Sequence, residues 1–258
     1  MQTEEEFKDF ILNGHLYYIP SVTIDCAIFG YSNRQLKLLL IKHRNRDNWS
    51  LPGGYIKRSE NLIEAANRNV KDRTGVDNLY LQQFKTFGGP DRIQFDKFDK
   101  TKWTEDTGLP SWEGNWLINP TVSVAFYAIT DFSKTELHTD ISTELCGWFE
   151  ISNVPVLEYD HDEILKEALN SMRLHLFHYP IGFNLLPEKF TLSEIHALYE
   201  TLLQKKLDIS NFPKKLIALG LLKKLNEKLH IGAHRSPYLY SFNKQKYEQA
   251  LKDGLVLS

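Results

Sequence analysis

Five side chains between Leu51 and Val76 carry groups that can engage a ligand: Glu60, Arg68, Asn69, Asp72 and Arg73, all behind the turn glycine Gly54. Residues 69, 72 and 73 are three and one apart, so a helix places them on one face. One negative and one positive charge cancel there. A guanidinium has donors only, so Arg73 cannot ligate a cation and would repel one. Further on, the segment Phe87–Arg92 (FGGPDR) offers backbone amides, Asp91 toward hydroxyl groups and Arg92 toward an anion; the alternative is a glycine-rich turn with a surface ion pair. Trp103, Trp112 and Trp116 follow, and their faces can stack on a sugar or base as a lid, or else anchor the segment to the protein. A last group comprises Ser210, Asn211, Lys214 and Lys215, with His234 and Arg235 downstream. Lysines reach phosphates, asparagine pairs with adenine in the major groove, and an arginine on a loop enters the minor groove.

Several elements must position these groups. Thr3–Leu12 is expected as a short helix with Phe7, Phe10 and Ile11 on one side. Ser21–Phe29 and Gln35–Lys42 read as strands separated by a turn at Gly30–Asn33, and Leu79–Phe87, Thr121–Thr130 and Cys146–Glu150 as three more. Asn61 is placed to cap the helix that carries residues 69–73, with Glu64 completing a capping box, Leu62, Ala65, Ala66 and Val70 forming its buried side, and Gly75 stopping it. The irregular stretch between the third and fourth strands, an insertion at about 91–119, is longer than a compact domain tolerates without a use. Asp160–Phe177 has helical periodicity and closes a first domain, 1–178. In the second, 179–258, Thr191 caps a helix through about Leu203. Asp208–Leu219 makes another, whose start Pro213 draws to Asn211, and Leu221–Leu225 and Tyr238–Phe242 are short strands. Helix, turn, helix and a two-stranded wing is the layout of a winged helix-turn-helix.

Charge divides the same way. Residues 1–172 hold 18 Lys+Arg against 26 Asp+Glu and residues 173–258 hold 13 against 7, an asymmetry hidden inside a net charge of −2. A basic module behind an acidic one fits a sensor joined to a nucleic-acid reader. Cys26 and Cys146 lie far apart without metal-ligand spacing, which fits a reducing compartment. MQTEEEFKDF is acidic and lacks a basic region followed by a long apolar run, so neither a signal peptide nor a membrane span is expected and the protein is placed in the cytoplasm.

Gly54, Glu60, Arg68, Val70, Gly75 and Val76 match the Nudix box, and the stretch resembles that motif with its metal site dismantled. The box sets carboxylates at 69, 72 and 73 that converge on Mg²⁺, where this chain has Asn69, Asp72 and Arg73. Together with the basic second domain, the chain resembles the Nudix-related transcriptional regulators. SVTIDCAIFG, LPGG, FGGPDR, YDHDEIL, PIGFNLLPEKFTLSEIHALYE and NFPKKL carry that resemblance, and the junction is most similar to the sugar-responsive, arabinose-type members. It implies an α/β (α+β) Nudix fold, a mixed sheet sandwiched by helices, followed by a small winged helix-turn-helix domain. It also implies homodimers on palindromic double-stranded DNA operators, with a small-molecule effector in the Nudix domain. The recognition helix departs from the family, with Ile209, Ser210 and Pro213 where arginines are common.

The expectation is a ligand-responsive regulator that binds a pentose such as L-arabinose without hydrolysing it, with no cofactor and no metal; restoring glutamate at 69 and 73 should then recover metal binding. Asp91, Arg92, Trp103, Trp112 and Trp116 are its expected effector contacts, and Ser210, Asn211, Lys214, Lys215, His234 and Arg235 its DNA contacts. The alternatives are a Nudix hydrolase acting on ADP-ribose or a related nucleoside diphosphate, a regulator of NAD metabolism sensing ADP-ribose, and a winged helix that mediates protein contacts.

Overall fold

The computed structural model describes residues 3–44, 46–77, 79–89, 92–93, 113–178, 185–229 and 236–253. The chain divides into two compact units, Met1–Gly30 with Lys37–Ala168 and Tyr31–Leu36 with Leu169–Ser258. Among the described residues no helix is long and apolar enough to cross a membrane.

In the first unit β1 (Tyr18–Ser32), β2 (Gln35–His43), β3 (Gly53–Lys57), β4 (Tyr80–Phe87), β5 (Val122–Thr130) and β6 (Thr143–Glu150) form one sheet of order β4-β5-β1-β2-β6, with β3 paired to β1. It is a mixed sheet, β1 running parallel to β5 and antiparallel to β3. Residues alternate between faces along a strand. Ile24, Cys26 and Ile28 of β1 pack with Val124, Phe126 and Ala128 of β5 against Ala65, Ala66 and Val70 of α2 (Leu62–Thr74). Asp25, on the other face, meets His161 at the start of α3 (His161–His178). Helices therefore cover both faces, as in the expected Nudix fold, and β1 is buried from Ile24 to Tyr31 without a polar-out alternation.

Local signals explain the helix that bears residues 69–73. The Asn61 side chain accepts the Glu64 N–H at 3.0 Å while Glu64 accepts the Asn61 N–H at 2.9 Å, and Gly75 ends the helix at φ 68°, a left-handed conformation that would cost a residue with a Cβ about 1–2 kcal/mol. Three sequence expectations need correction. The turn after β1 is Asn33–Arg34, both at positive φ as a two-residue hairpin requires, rather than Gly30–Asn33. The N-terminal helix α1 runs Glu4–Tyr17, past Leu12, because Ile11 and Gly14 are buried against the rest of the unit. The glycines after Pro52 form strand β3 instead of a bare turn, since a Cβ on Gly53 would collide with the Asp25 carboxylate and the Ile24 carbonyl.

The second unit contains α4 (Leu192–Leu203), α5 (Asn211–Ala218), β7 (Leu222–Lys228), β8 (Tyr238–Phe242) and α6 (Lys244–Asp253). Phe190 and Tyr240 exchange backbone hydrogen bonds of 2.9 and 2.7 Å, which adds a short third strand to the β7–β8 wing. Ile195, Leu198, Tyr199 and Leu202 of α4, Phe212 and Leu216 of α5, and Phe190, Leu222 and Tyr240 form its core. Each such side chain contributes about 1.5–3 kcal/mol on burial. Thr191 and Glu194 form the expected capping box, α5 begins at Asn211 as Pro213 requires, and the layout is that of a winged helix. Helix α6 is an addition to the elements expected from the sequence.

Candidate functional site

Arg68 immediately precedes the first of positions 69, 72 and 73 and holds Glu60 through two bonds, Nε to Oε1 at 2.7 Å and Nη2 to Oε2 at 2.9 Å, while its Nη2 also reaches the Tyr55 carbonyl. Partial burial would raise Glu60, but Arg68 and the Lys57 N–H outweigh it and hold the carboxyl below its ordinary value. Asn69 is buried. Its Nδ2 donates to the Ala65 carbonyl at 2.8 Å, and its Oδ1 sits where a Cβ on Gly54 would come within 3.0 Å. Arg73 is also buried and pairs with Asp140 at 3.0 Å, not with Glu60 or Asp72 as its position in the helix suggests. Burial opposes charge on Asp140, yet Arg73 keeps that carboxyl below the usual range. Asp72 points to solvent.

These residues do not fit a divalent cation. Mg²⁺ wants several hard oxygens in one place; Glu60 is occupied by Arg68, Asn69 bonds within its own helix, a guanidinium stands at 73, and Asp72, the one carboxylate left at the three positions, is exposed to solvent. Among the described residues no group of three or more His, Cys, Asp or Glu converges as a metal site. Beside the Arg73–Asp140 pair opens a hollow of about 520 Å³ lined by Arg44, Thr139, Asp140, Thr143 and Glu144, within the size range of small-ligand sites. The Arg44 side chain is exposed and makes no ion pair among the described residues. Burial pushes the neighbouring His43 down to about 4, so it is neutral at physiological pH.

Arg92, at the end of FGGPDR, differs from either sequence reading. Arg92 is buried and fully engaged, donating to Asp25 at 2.5 Å, Asp160 at 3.0 Å and Thr121 at 2.9 Å. It is neither an open anion receptor nor a surface pair. The Leu51 N–H donates to His161 Nδ1 at 2.9 Å, which fixes that ring's proton on Nε2, facing Asp25 Oδ1 at 3.5 Å. Burial alone would raise Asp25, but His161 and the Arg92 guanidinium hold it well below the carboxylate range. The network thus joins β1, the segment after β4, the approach to β5, the start of α3 and the turn before β3. Trp116 is likewise buried; its indole N–H donates to the Ile11 carbonyl at 3.1 Å and its ring packs on Phe10 and Tyr55. It anchors α1 and is no stacking surface for a ligand. Asp91, Trp103 and Trp112 lie outside the described residues.

In the second unit Ser210, Asn211, Lys214 and Lys215 are all exposed at and along α5, while Phe212, Pro213 and Leu216 face its core. His234 and Arg235 lie outside the described residues. Lys223, Lys224 and Lys228 of β7 join the exposed cations of this unit without having been among its expected DNA contacts, although the run LKKLNEK signals them. All three are exposed, and the Nζ of Lys224 and Lys228 stand 3.6 and 4.9 Å from the Tyr238 ring centre. Asp25, Asp160 and His161, which lie in the SVTIDCAIFG and YDHDEIL segments, and Asp140 and Arg44 at the hollow are further additions, since only the fold brings each group together.

Comparison with known proteins agrees with this division. The NUDIX domain model matches residues 21–167 and the NrtR DNA-binding winged helix domain model matches residues 182–242. The ADPR responsive transcriptional repressor NtrR of Acinetobacter baylyi is 27% identical over 239 residues, 90% of this chain and 86% of that protein. An ADP-ribose pyrophosphatase of Methanocaldococcus jannaschii is 26% identical over 157 residues, 60% of this chain and 76% of that enzyme. The structure of Shewanella oneidensis NrtR complexed with a 27mer DNA shares the fold, with a TM-score of 0.66 at 23% identity over 88% of this chain and 95% of that one. None of the three is named for a pentose. With the NUDIX match covering more than half its length, the chain belongs to the Nudix domain family and carries an NrtR-type DNA-binding winged helix domain behind it.

Proposed function

We propose that the chain is a transcriptional regulator whose Nudix domain senses ADP-ribose, or a nucleoside diphosphate sugar of that class, without hydrolysing it. The observation that carries the reading is the conversion of the box. Asn69 and Arg73 are built into internal contacts, so the scaffold persists beside a ligand-sized hollow where Arg44 offers a cation to a diphosphate and Glu144 is the opposing charge in the lining. Hydrolysis of a diphosphate needs charge neutralisation and an activated water, normally from Mg²⁺, and the residues here do not supply that site. The relatives named for ADP-ribose favour this effector over the pentose expected from the junction sequence. Residues 1–178 serve as the sensor and 179–258 as the reader, acting as a homodimer on a palindromic operator.

Thermal unfolding with ligands tests the reading. ADP-ribose at about 100 times its Kd stabilises the native state by about 2.7 kcal/mol, a rise in Tm of about 5–10 °C for a unit of this size. L-Arabinose is expected to leave Tm unchanged. A shift with L-arabinose and none with ADP-ribose would restore the pentose reading, and Mg²⁺-dependent turnover of ADP-ribose would make the protein an enzyme.

A further inference from the structure

Asn211 is the first residue of α5, and its backbone N–H is already held by the Asp208 carboxylate at 2.6 Å, which also takes the Ser210 N–H at 2.9 Å. An asparagine at a helix start commonly caps with its own side chain, as Asn61 does for α2. At α5 Asp208 does that work, and the Asn211 amide is exposed and makes no hydrogen bond among the described residues. Phe212, Pro213 and Leu216 fix the buried side of the helix, so residues 211, 214 and 218, three or four apart, face outward together. In a helix-turn-helix the residues at the start of the second helix meet the base edges.

Side-chain chemistry narrows what they meet. Between Thr191 and Leu229 the chain contains no arginine, the residue whose planar fork most often reads guanine. Its cations there are Lys205, Lys206, Lys214, Lys215, Lys223, Lys224 and Lys228, compact charges suited to phosphates. A free amide with one donor and one acceptor edge is the bidentate complement of adenine N6 and N7. Ile209, 72% exposed just ahead of the helix, supplies an apolar contact for a thymine methyl.

We infer that Asn211 is the specificity-determining residue of the reader and that it selects an adenine at a fixed place in each half-site, with the lysines setting position. The inference rests on the DNA-binding reading above. It is tested by selecting bound duplexes from a random-sequence pool with the full-length protein and with Asn211→Ala. The wild type should enrich a site with one near-invariant A·T pair per half. Asn211→Ala should lose preference at that pair, roughly 5- to 150-fold, while its affinity for unselected DNA and its salt dependence stay as in the wild type. The variant is expected to fold, because Asp208 holds the backbone of residue 211 whatever its side chain, and circular dichroism checks that. Enrichment unchanged by Asn211→Ala, or a site read only through G·C pairs, overturns this inference alone. No binding by the wild type at any salt, with or without ADP-ribose, overturns the regulator reading instead.

Discussion

Replacing Arg92 with alanine is expected to destabilise the first unit by about 3–5 kcal/mol, the cost of leaving a buried charge without its partner. Three groups lose a donor at once, Asp25, Asp160 and Thr121, and Asp160 Oδ1 already lacks a partner among the described residues. At about 2–4 °C per kcal/mol the Tm should fall by about 6–20 °C. Calorimetry of the full chain reads this, and a loss under about 1 kcal/mol would show that the network does not act as a unit. Asp25 gives a second readout through pH. Its folded-state pKa lies below the unfolded value of about 3.9, so its contribution is fully present above that value and disappears as pH falls through the folded value. The wild type should therefore keep this contribution through mild acid. In Arg92→Ala the depression of Asp25 should shrink, moving the loss to higher pH.

Changing Lys214, Lys215, Lys223, Lys224 and Lys228 together to alanine is expected to remove most DNA affinity, roughly 10²–10⁴-fold at 0.1 M salt. All five are exposed, so the fold should survive. Every phosphate that is no longer neutralised by a lysine lowers the slope of log K against log salt by about 0.9, and titrations across a salt series would reveal how many of the lysines touch DNA. A slope that does not change would place the DNA surface elsewhere and favour a winged helix used for protein contacts.

The parts of this protein legible in the sequence are those whose cause is local. Asn61 and Glu64, Thr191 and Glu194, and Gly75 each announce a helix end within a few residues, and the caps stand where the sequence puts them. Strand β3 is hidden because paired glycines look like a breaker, whereas Gly53 is there to let β1 come close. Helix α6 is hidden because KQKYEQALKD is mostly polar, with Ala250 its one fully buried side chain among the described residues. Arg92 misleads for a different reason: its partners Asp25 and Asp160 stand 67 and 68 residues away. A charged side chain reads as exposed until the fold reveals what neutralises it. Trp116 shows the same limit, since the Ile11 carbonyl that holds its indole is 105 residues distant.

The Arg73–Asp140 bridge also bears on how this domain can change over evolutionary time. Glutamate at 73 would confront Asp140 across about the distance that now holds an ion pair, with Glu144 lining the same hollow. The simple reversal expected from the sequence, Asn69→Glu with Arg73→Glu, is thus incomplete, because Asp140 would be orphaned until it too was replaced or a cation arrived. Under the proposed non-hydrolysing reading, Asp140 acts as a ratchet, a residue outside the box that opposes a return of carboxylate at position 73.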